Sequence, residues 1–208
     1  MAYEIDSRSY LKRAKYRMNE DSLHSLFYAA LELRCGIESR MQQYLNSQEH
    51  ISKRKKKGWQ IAKLGKNIEK AFRTGNKITK LNITNKKSGK HLQTLYYTPV
   101  TSTLQKQGKK LGNYLHAAKK FHSSSENFWD VFRTVLINVS EGLDIANYGT
   151  LLGPPLIHPN KKQMYMNVEL LQNESYQEKL SEIGGVGNDI TMQVEYLNIL
   201  PKEVISKG

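Results

Sequence analysis

The stretch KKLGNYLHAAKKFH, residues 109–122, places two histidines, one asparagine and four lysines in a single expected helix. At 3.6 residues per turn Lys109, Asn113, His116 and Lys120 share one face, and Leu104, Leu111, Leu115 and Ala118 form an apolar line beside it. The polar atoms then sit at the border between core and water, where a side chain is both held and wet. An imidazole in that position can take the proton of a ribose 2′-hydroxyl or return one to a leaving oxygen, while a nearby cation steadies the charge growing on phosphorus. That is metal-independent RNA cleavage, with His116 as acid or base, Lys109, Lys110 or Arg34 as the cation, and Asn113 as a positioning donor. DNA, lacking the hydroxyl, would be spared. The same residues equally suit a helix face that only grips phosphate, or a histidine bonded to a carbonyl at the core edge.

Other chemistries have less support. GGVGND at 184–189 has no GK[ST] ending and reads as a turn, not a phosphate loop. The chain contains no H-E-x-x-H, no G-x-S-x-G and no dense acidic pair on one helix of the kind that holds magnesium. Neither a metal centre nor a cofactor is expected. A lone cysteine, Cys35, rules out an intrachain disulfide and a cysteine-cluster zinc site, and it reads as a small buried apolar residue.

Charge points to a partner. The net charge is +13, but residues 1–120 carry 26 basic and 8 acidic side chains, or +18, whereas residues 121–208 carry 6 and 11, or −5. A polyanion is the natural ligand of the first part, because each neutralised phosphate releases condensed counterions. The densest cations are Lys53, Arg54, Lys55, Lys56 and Lys57, joined by Lys63, Lys66, Lys109, Lys119 and Lys120 as candidate nucleic-acid contacts. Trp59, Tyr96 and Tyr97 are available to stack on bases, although aromatic residues at such spacings more commonly build a core. No stretch approaches the roughly 20 apolar residues of a membrane span, and the first residues lack the apolar centre of a signal peptide. A soluble cytoplasmic protein without membrane contact is expected.

The elements that must position these residues follow from periodicity. Leu23, Phe27, Ala30, Leu31, Ile37, Met41, Tyr44 and Leu45 predict a helix over 22–46, capped by Ser22 or Asp21. Arg34 interrupts that stripe with Glu38 one turn on, either as a surface ion pair or as a partly buried charge held for function. The lysine run is a loop or a frayed helix start. Ile61, Leu64, Ile68, Ala71 and Phe72 predict a second helix, with Gly75 as its C-terminal cap. Alternation then changes to two: Ile78, Leu81 and Ile83, the turn NKKSGK, and Leu92, Leu95, Tyr96 and Tyr97 predict a β-hairpin at about 77–98, stopped by Pro99. The helix carrying His116 follows, and Phe128, Val131, Phe132, Val135, Val139 and Leu143 predict another. The fold class is α+β, mainly α. Residues 1–147 form a basic helical bundle with an inserted hairpin, and residues 148–208 a small acidic β-rich section around a helical stretch, SYQEKLSEI.

The helix YAALELRCGIESRMQQYL, the lysine-rich second helix and the polar residues ahead of His116 resemble the HEPN superfamily, over roughly residues 20–147. These are helical bundles common among bacterial toxins, antiviral-defence ribonucleases and their nucleic-acid-binding relatives. The resemblance implies a prokaryotic defence or toxin role, an RNA target, and a homodimer whose site is shared across a two-fold, or a larger effector or antitoxin partner. The HEPN nuclease signature sets an arginine four to six residues before the histidine. Here Lys110 stands at that position, Asn113 serves as the polar residue and His116 matches. Lysine lacks the planar fork that grips two phosphate oxygens. Arg34, on the neighbouring helix, is then the candidate guanidinium, with Glu38 as its companion. Two readings stay open: a metal-independent endoribonuclease, or a non-catalytic basic DNA/RNA-binding or adaptor subunit of a larger effector complex.

Overall fold

The computed structural model describes residues 4–20, 22–115, 127–157, 164–169, 174–186 and 189–201. They form seven helices and a small antiparallel sheet, an α+β fold that is mainly α. The chain divides into two compact units: residues 1–75 with 100–147, and residues 76–99 with 148–208.

The first unit is helical. Helix α1, Ser7–Met18, starts at Asp6, whose Oδ1 accepts from the amides of Arg8 at 2.9 Å and Ser9 at 3.1 Å. Burial alone would push the Asp6 carboxyl up, but the hydrogen bonds from Ser9 and Arg8 outweigh it and hold the group below its ordinary value. The buried face of α1 is Ser7, Leu11 and Ala14, and Ser7 Oγ donates to the Gly36 carbonyl at 2.8 Å. Small residues on both sides allow this close approach to helix α2, Leu23–Asn46. The sequence reading places no helix before residue 22, because α1 buries a single large apolar side chain.

Helix α2 is the centre of the unit. Leu26, Leu33, Ile37, Met41, Tyr44 and Leu45 are fully buried, whereas Leu31, assigned to the stripe by periodicity, is 47% exposed. The apolar face is therefore rotated slightly from the expected one. Arg40 is also fully buried: its Nε donates to Tyr44 Oη and to the Ala146 carbonyl, both at 3.0 Å, and its guanidinium lies 4.9 Å from the Tyr44 ring centre. Burying an arginine is tolerable only with such partners.

The lysine run forms one helical turn, α3, Lys53–Lys56. Helix α4, Ile61–Phe72, presents Ile61, Leu64, Gly65, Ile68 and Phe72 inward. It ends on Arg73 at φ 55°, so the left-handed cap expected at Gly75 falls two residues earlier. Helix α5, Ser102–Leu115, buries Leu104, Gly108, Leu111 and Gly112. Helix α6, Phe128–Tyr148, buries Phe132, Leu136, Val139 and Leu143, while Val131 is 51% exposed. Tyr114 stacks on Phe132 with ring centres 4.3 Å apart, and Phe27 and Phe128 close around the same ring. This aromatic cluster anchors the last turn of α5.

The second unit is built on the hairpin. Strand β1, Ile78–Asn85, pairs with β2, His91–Tyr97, with Leu81 opposite Leu95. The turn is held by Asn85 Oδ1, which accepts from the amides of Lys87 and Ser88, and by Gly89 at φ 69°. Two two-residue strands, β3 (Leu156–Ile157) and β4 (Met164–Tyr165), pair with each other, and helix α7, Glu174–Val186, precedes strand β5, Ile190–Leu197. Strand β5 pairs with β1 along its full length, giving the order β2-β1-β5. The hairpin and the C-terminal section, which the sequence reading keeps separate, thus share one sheet. Gly184 and Gly185, expected in a turn, lie within α7. Among the described residues the C-terminal section thus holds three strands and one helix, α7.

Candidate nucleic-acid interface

Glycines Gly108 and Gly112, four residues apart on α5, face α2. A β-carbon at Gly108 would sit 2.8 Å from Ile37 Cδ1 and 3.0 Å from Ile61 Cδ1, and one at Gly112 would fall on Arg34 Nη1. Arg34 and Ile37, three apart on α2, therefore nest on the bare backbone of α5. Arg34 Nε donates to Glu38 Oε1 at 3.1 Å, with the side chains 22% and 18% exposed. The pair is an i, i+4 ion pair and is partly buried, not a fully exposed surface pair. Burial pushes the Glu38 carboxyl above its ordinary value, against the charge and hydrogen bond of Arg34. Burial, followed by the carboxylates of Glu38 and Glu32, also pushes the Cys35 thiol up, the opposite of an activated nucleophile.

Lys109, Lys110 and Asn113 are exposed on α5 around Gly112. Arg34 is thereby brought to the turn that carries Asn113, which sequence spacing alone does not reveal. The glycine pair is the signal that could have found it. His116, Lys119 and Lys120 lie outside the described residues.

Three hydrogen bonds tie the second half of the lysine run to α2 and α4. Lys56 Nζ donates to the Asn46 carbonyl at 3.2 Å, Asn67 Nδ2 donates to the Lys55 carbonyl at 2.8 Å, and Gln42 Nε2 donates to the Gly58 carbonyl. Gly58 takes φ 115°, a conformation open to glycine, and delivers Trp59 to solvent at 65% exposure. Tyr96 and Tyr97 are buried in the sheet unit, at 8% and 1%, so of the three candidate stacking residues Trp59 alone is exposed.

Ion pairing distinguishes two groups among the cations. Among the described residues Lys53, Arg54, Lys55, Lys57, Lys63, Lys66, Lys109 and Lys110 form no ion pair. In the sheet unit, by contrast, Lys80 meets Glu195 at 3.3 Å, Lys87 meets Asp189 at 2.6 Å and Lys90 meets Glu182 at 2.9 Å. The acidic surplus of the C-terminal section is therefore spent in part on the lysines of its own sheet. Helices α3, α4 and α5 thus carry a group of cations that have no ion-pair partner among the described residues.

Among the described residues no group of three or more His, Cys, Asp or Glu side chains is placed to hold a metal ion, and no helix is long and apolar enough to cross a membrane. No protein-family model matches the chain, and no curated protein and no solved structure is significantly similar to it.

Proposed function

We propose that the chain is a nucleic-acid-binding protein of the cytoplasm, with RNA as the favoured target, that tracks phosphates with the cations of α3, α4 and α5 and stacks a base on Trp59. The observation that carries this reading is the set of exposed cations without ion pairs around a lysine turn hydrogen-bonded to α2 and α4, beside an exposed indole. Cations without acidic partners are free to exchange counterions for phosphate, and an aromatic face adds sequence-tolerant stacking. The resemblance to HEPN bundles adds a role in prokaryotic defence or toxin action, and with it a homodimer or a larger effector complex. The test is binding of labelled single-stranded RNA and of matched DNA across a salt series. Salt-dependent binding with RNA preferred supports the reading, and no binding at low salt contradicts it.

A second reading is favoured by one observation: Arg34 reaches α5 at Gly112, four residues before His116 in sequence. A guanidinium supplied from α2 would replace the arginine that Lys110 does not provide, so that the protein is a metal-independent endoribonuclease with His116 as its acid or base. RNA cleaved in EDTA, DNA spared, and cleavage abolished in both His116→Ala and Arg34→Ala with binding retained would establish this activity. Intact RNA that still binds would leave the protein a binding subunit.

A further inference from the structure

Strand β5 ends the sheet order β2-β1-β5, and among the described residues no strand or loop pairs with its outer edge. The Lys86 amide donates to the Asp189 carbonyl at 2.7 Å, in register with the pairing of β1 and β5. Opposed residues of an antiparallel pair alternate between bonded and non-bonded, so Thr191, Gln193, Glu195 and Leu197 bond to β1. The amides and carbonyls of Ile190, Met192, Val194 and Tyr196 then point outward. The other edge of the sheet follows the same alternation but is partly covered, since the outward Tyr96 carbonyl of β2 accepts from the Leu151 amide at 2.9 Å.

An open row of amides and carbonyls templates pairing with another chain, and edge strands are commonly blunted by lysine, proline or a bulge. Strand β5 has none of these: it reads ITMQVEYL and keeps an unbroken register with β1. Its one charge, Glu195, already meets Lys80 Nζ at 3.3 Å and accepts from Asn82 Nδ2 at 3.2 Å. Met192 and Val194 lie opposite the buried Ile83 and Leu81, on the core face of the sheet, and Ile190 and Tyr196 share that face. Val194 is nevertheless 38% exposed and Tyr196 58%. An apolar row of the core face is thus left partly uncovered at the edge.

The strand that fits this edge is its own copy. Antiparallel pairing about a two-fold axis at Gln193 sets Ile190 opposite the second copy's Tyr196, and Met192 opposite its Val194. All four outward residues then fall in hydrogen-bonded pairs, and each apolar side chain faces another across the strands. Glu195 falls opposite Thr191, so no like charges meet. The net charge of +13 opposes association through the basic helices, whereas the lysines of this sheet are paired: Lys80 with Glu195, Lys87 with Asp189 and Lys90 with Glu182. We propose that two copies join β5 to β5 in this antiparallel register, so that their two three-stranded sheets become one continuous sheet. The inference rests on the sheet unit alone and shares no residue with the phosphate-tracking face.

Sedimentation velocity of the full chain at high micromolar concentration reads the association, with circular dichroism and thermal melts checking that each variant folds. Tyr196→Lys places a lysine on the edge at an exposed position, and Val194→Pro removes one outward amide while sparing the ladder to β1. A dimeric parent whose dissociation constant rises at least tenfold in both variants supports the proposal. Cysteine cross-linking in a Cys35→Ala background reads the register. Gln193 meets its own copy in a non-hydrogen-bonded pair, with Cα atoms about 4.5 Å apart and within disulfide reach. The two copies of Thr191 lie about 13 Å apart along the strands. Under mild oxidation Gln193→Cys should therefore give a covalent dimer and Thr191→Cys should not. A dimer unaffected by both edge variants, or equal cross-linking of the two cysteines, overturns the proposal. So does a monomeric parent, which would leave the edge to a strand of another protein.

Discussion

Arg34 Nη1 occupies the space that a β-carbon on Gly112 would fill, so the guanidinium of α2 lies directly on the backbone of α5. One turn earlier Gly108 does the same for Ile37, which is fully buried, and for Ile61, which is 2% exposed. The two glycines are therefore expected to differ. Gly112→Ala displaces the movable end of an arginine, and alanine returns about 0.5–1 kcal/mol of helix propensity, so its stability stays within about 1 kcal/mol of the parent. Gly108→Ala forces two packed isoleucines apart and costs about 1–3 kcal/mol. Urea denaturation of the two variants measures the difference, and the reverse ranking contradicts this packing.

Glu38 makes a pH-dependent contribution. Its folded-state carboxyl is raised above the ordinary glutamate value of 4.5, chiefly by burial. Folding then takes up protons in the window above that value. The stability it contributes is complete below the ordinary value and is lost as pH rises through the raised one. Glu38→Gln keeps an oxygen for Arg34 Nε and removes the titration. The unfolding free energy of the variant should gain on the parent between pH 4 and pH 7. A parent that gains on the variant over that range contradicts the assignment.

Trp59 separates binding from folding. At 65% exposure its removal should leave the melting temperature essentially unchanged. If a base stacks on it, Trp59→Ala weakens single-stranded RNA binding by about 1–3 kcal/mol, whereas Tyr97→Ala, at a buried core position, acts through stability. Fluorescence binding and thermal melts on both variants distinguish the roles. Equal RNA affinity in Trp59→Ala and the parent would remove the stacking interaction.

Much of the architecture follows from local pattern. The period of α2 and the alternation of the hairpin, with its Asn85–Gly89 turn, are set by neighbouring residues and are legible in the chain. Helix α1 is not, because its buried face of Ser7, Leu11 and Ala14 is too small and polar to stand out. The charge asymmetry is legible, but its meaning is not. Lys80 and Glu195 are 115 residues apart, and only strand pairing brings them together. Site residues divide in the same way. The lysine turn declares itself by composition, whereas the approach of Arg34 to Gly112 depends on the distance between two helices. Arg40 escapes sequence reasoning altogether, since nothing local distinguishes a buried arginine from an exposed one until Tyr44 and the Ala146 carbonyl are in place.

The most direct test of phosphate tracking by α3, α4 and α5 is the salt dependence of RNA binding for the parent and for two sets of lysine variants. One neutralises Lys53, Arg54, Lys55 and Lys57, and the other neutralises Lys80, Lys87 and Lys90. Removing one cation that touches a phosphate should reduce the slope of log K against log salt by about 0.7 for a single strand. The first set should weaken binding and flatten the slope by one such increment per phosphate released. The second set, whose cations already face Glu195, Asp189 and Glu182, should leave both nearly unchanged. Equal effects of the two sets, or a slope that the first leaves intact, would contradict the assignment of the phosphate-binding face to α3, α4 and α5.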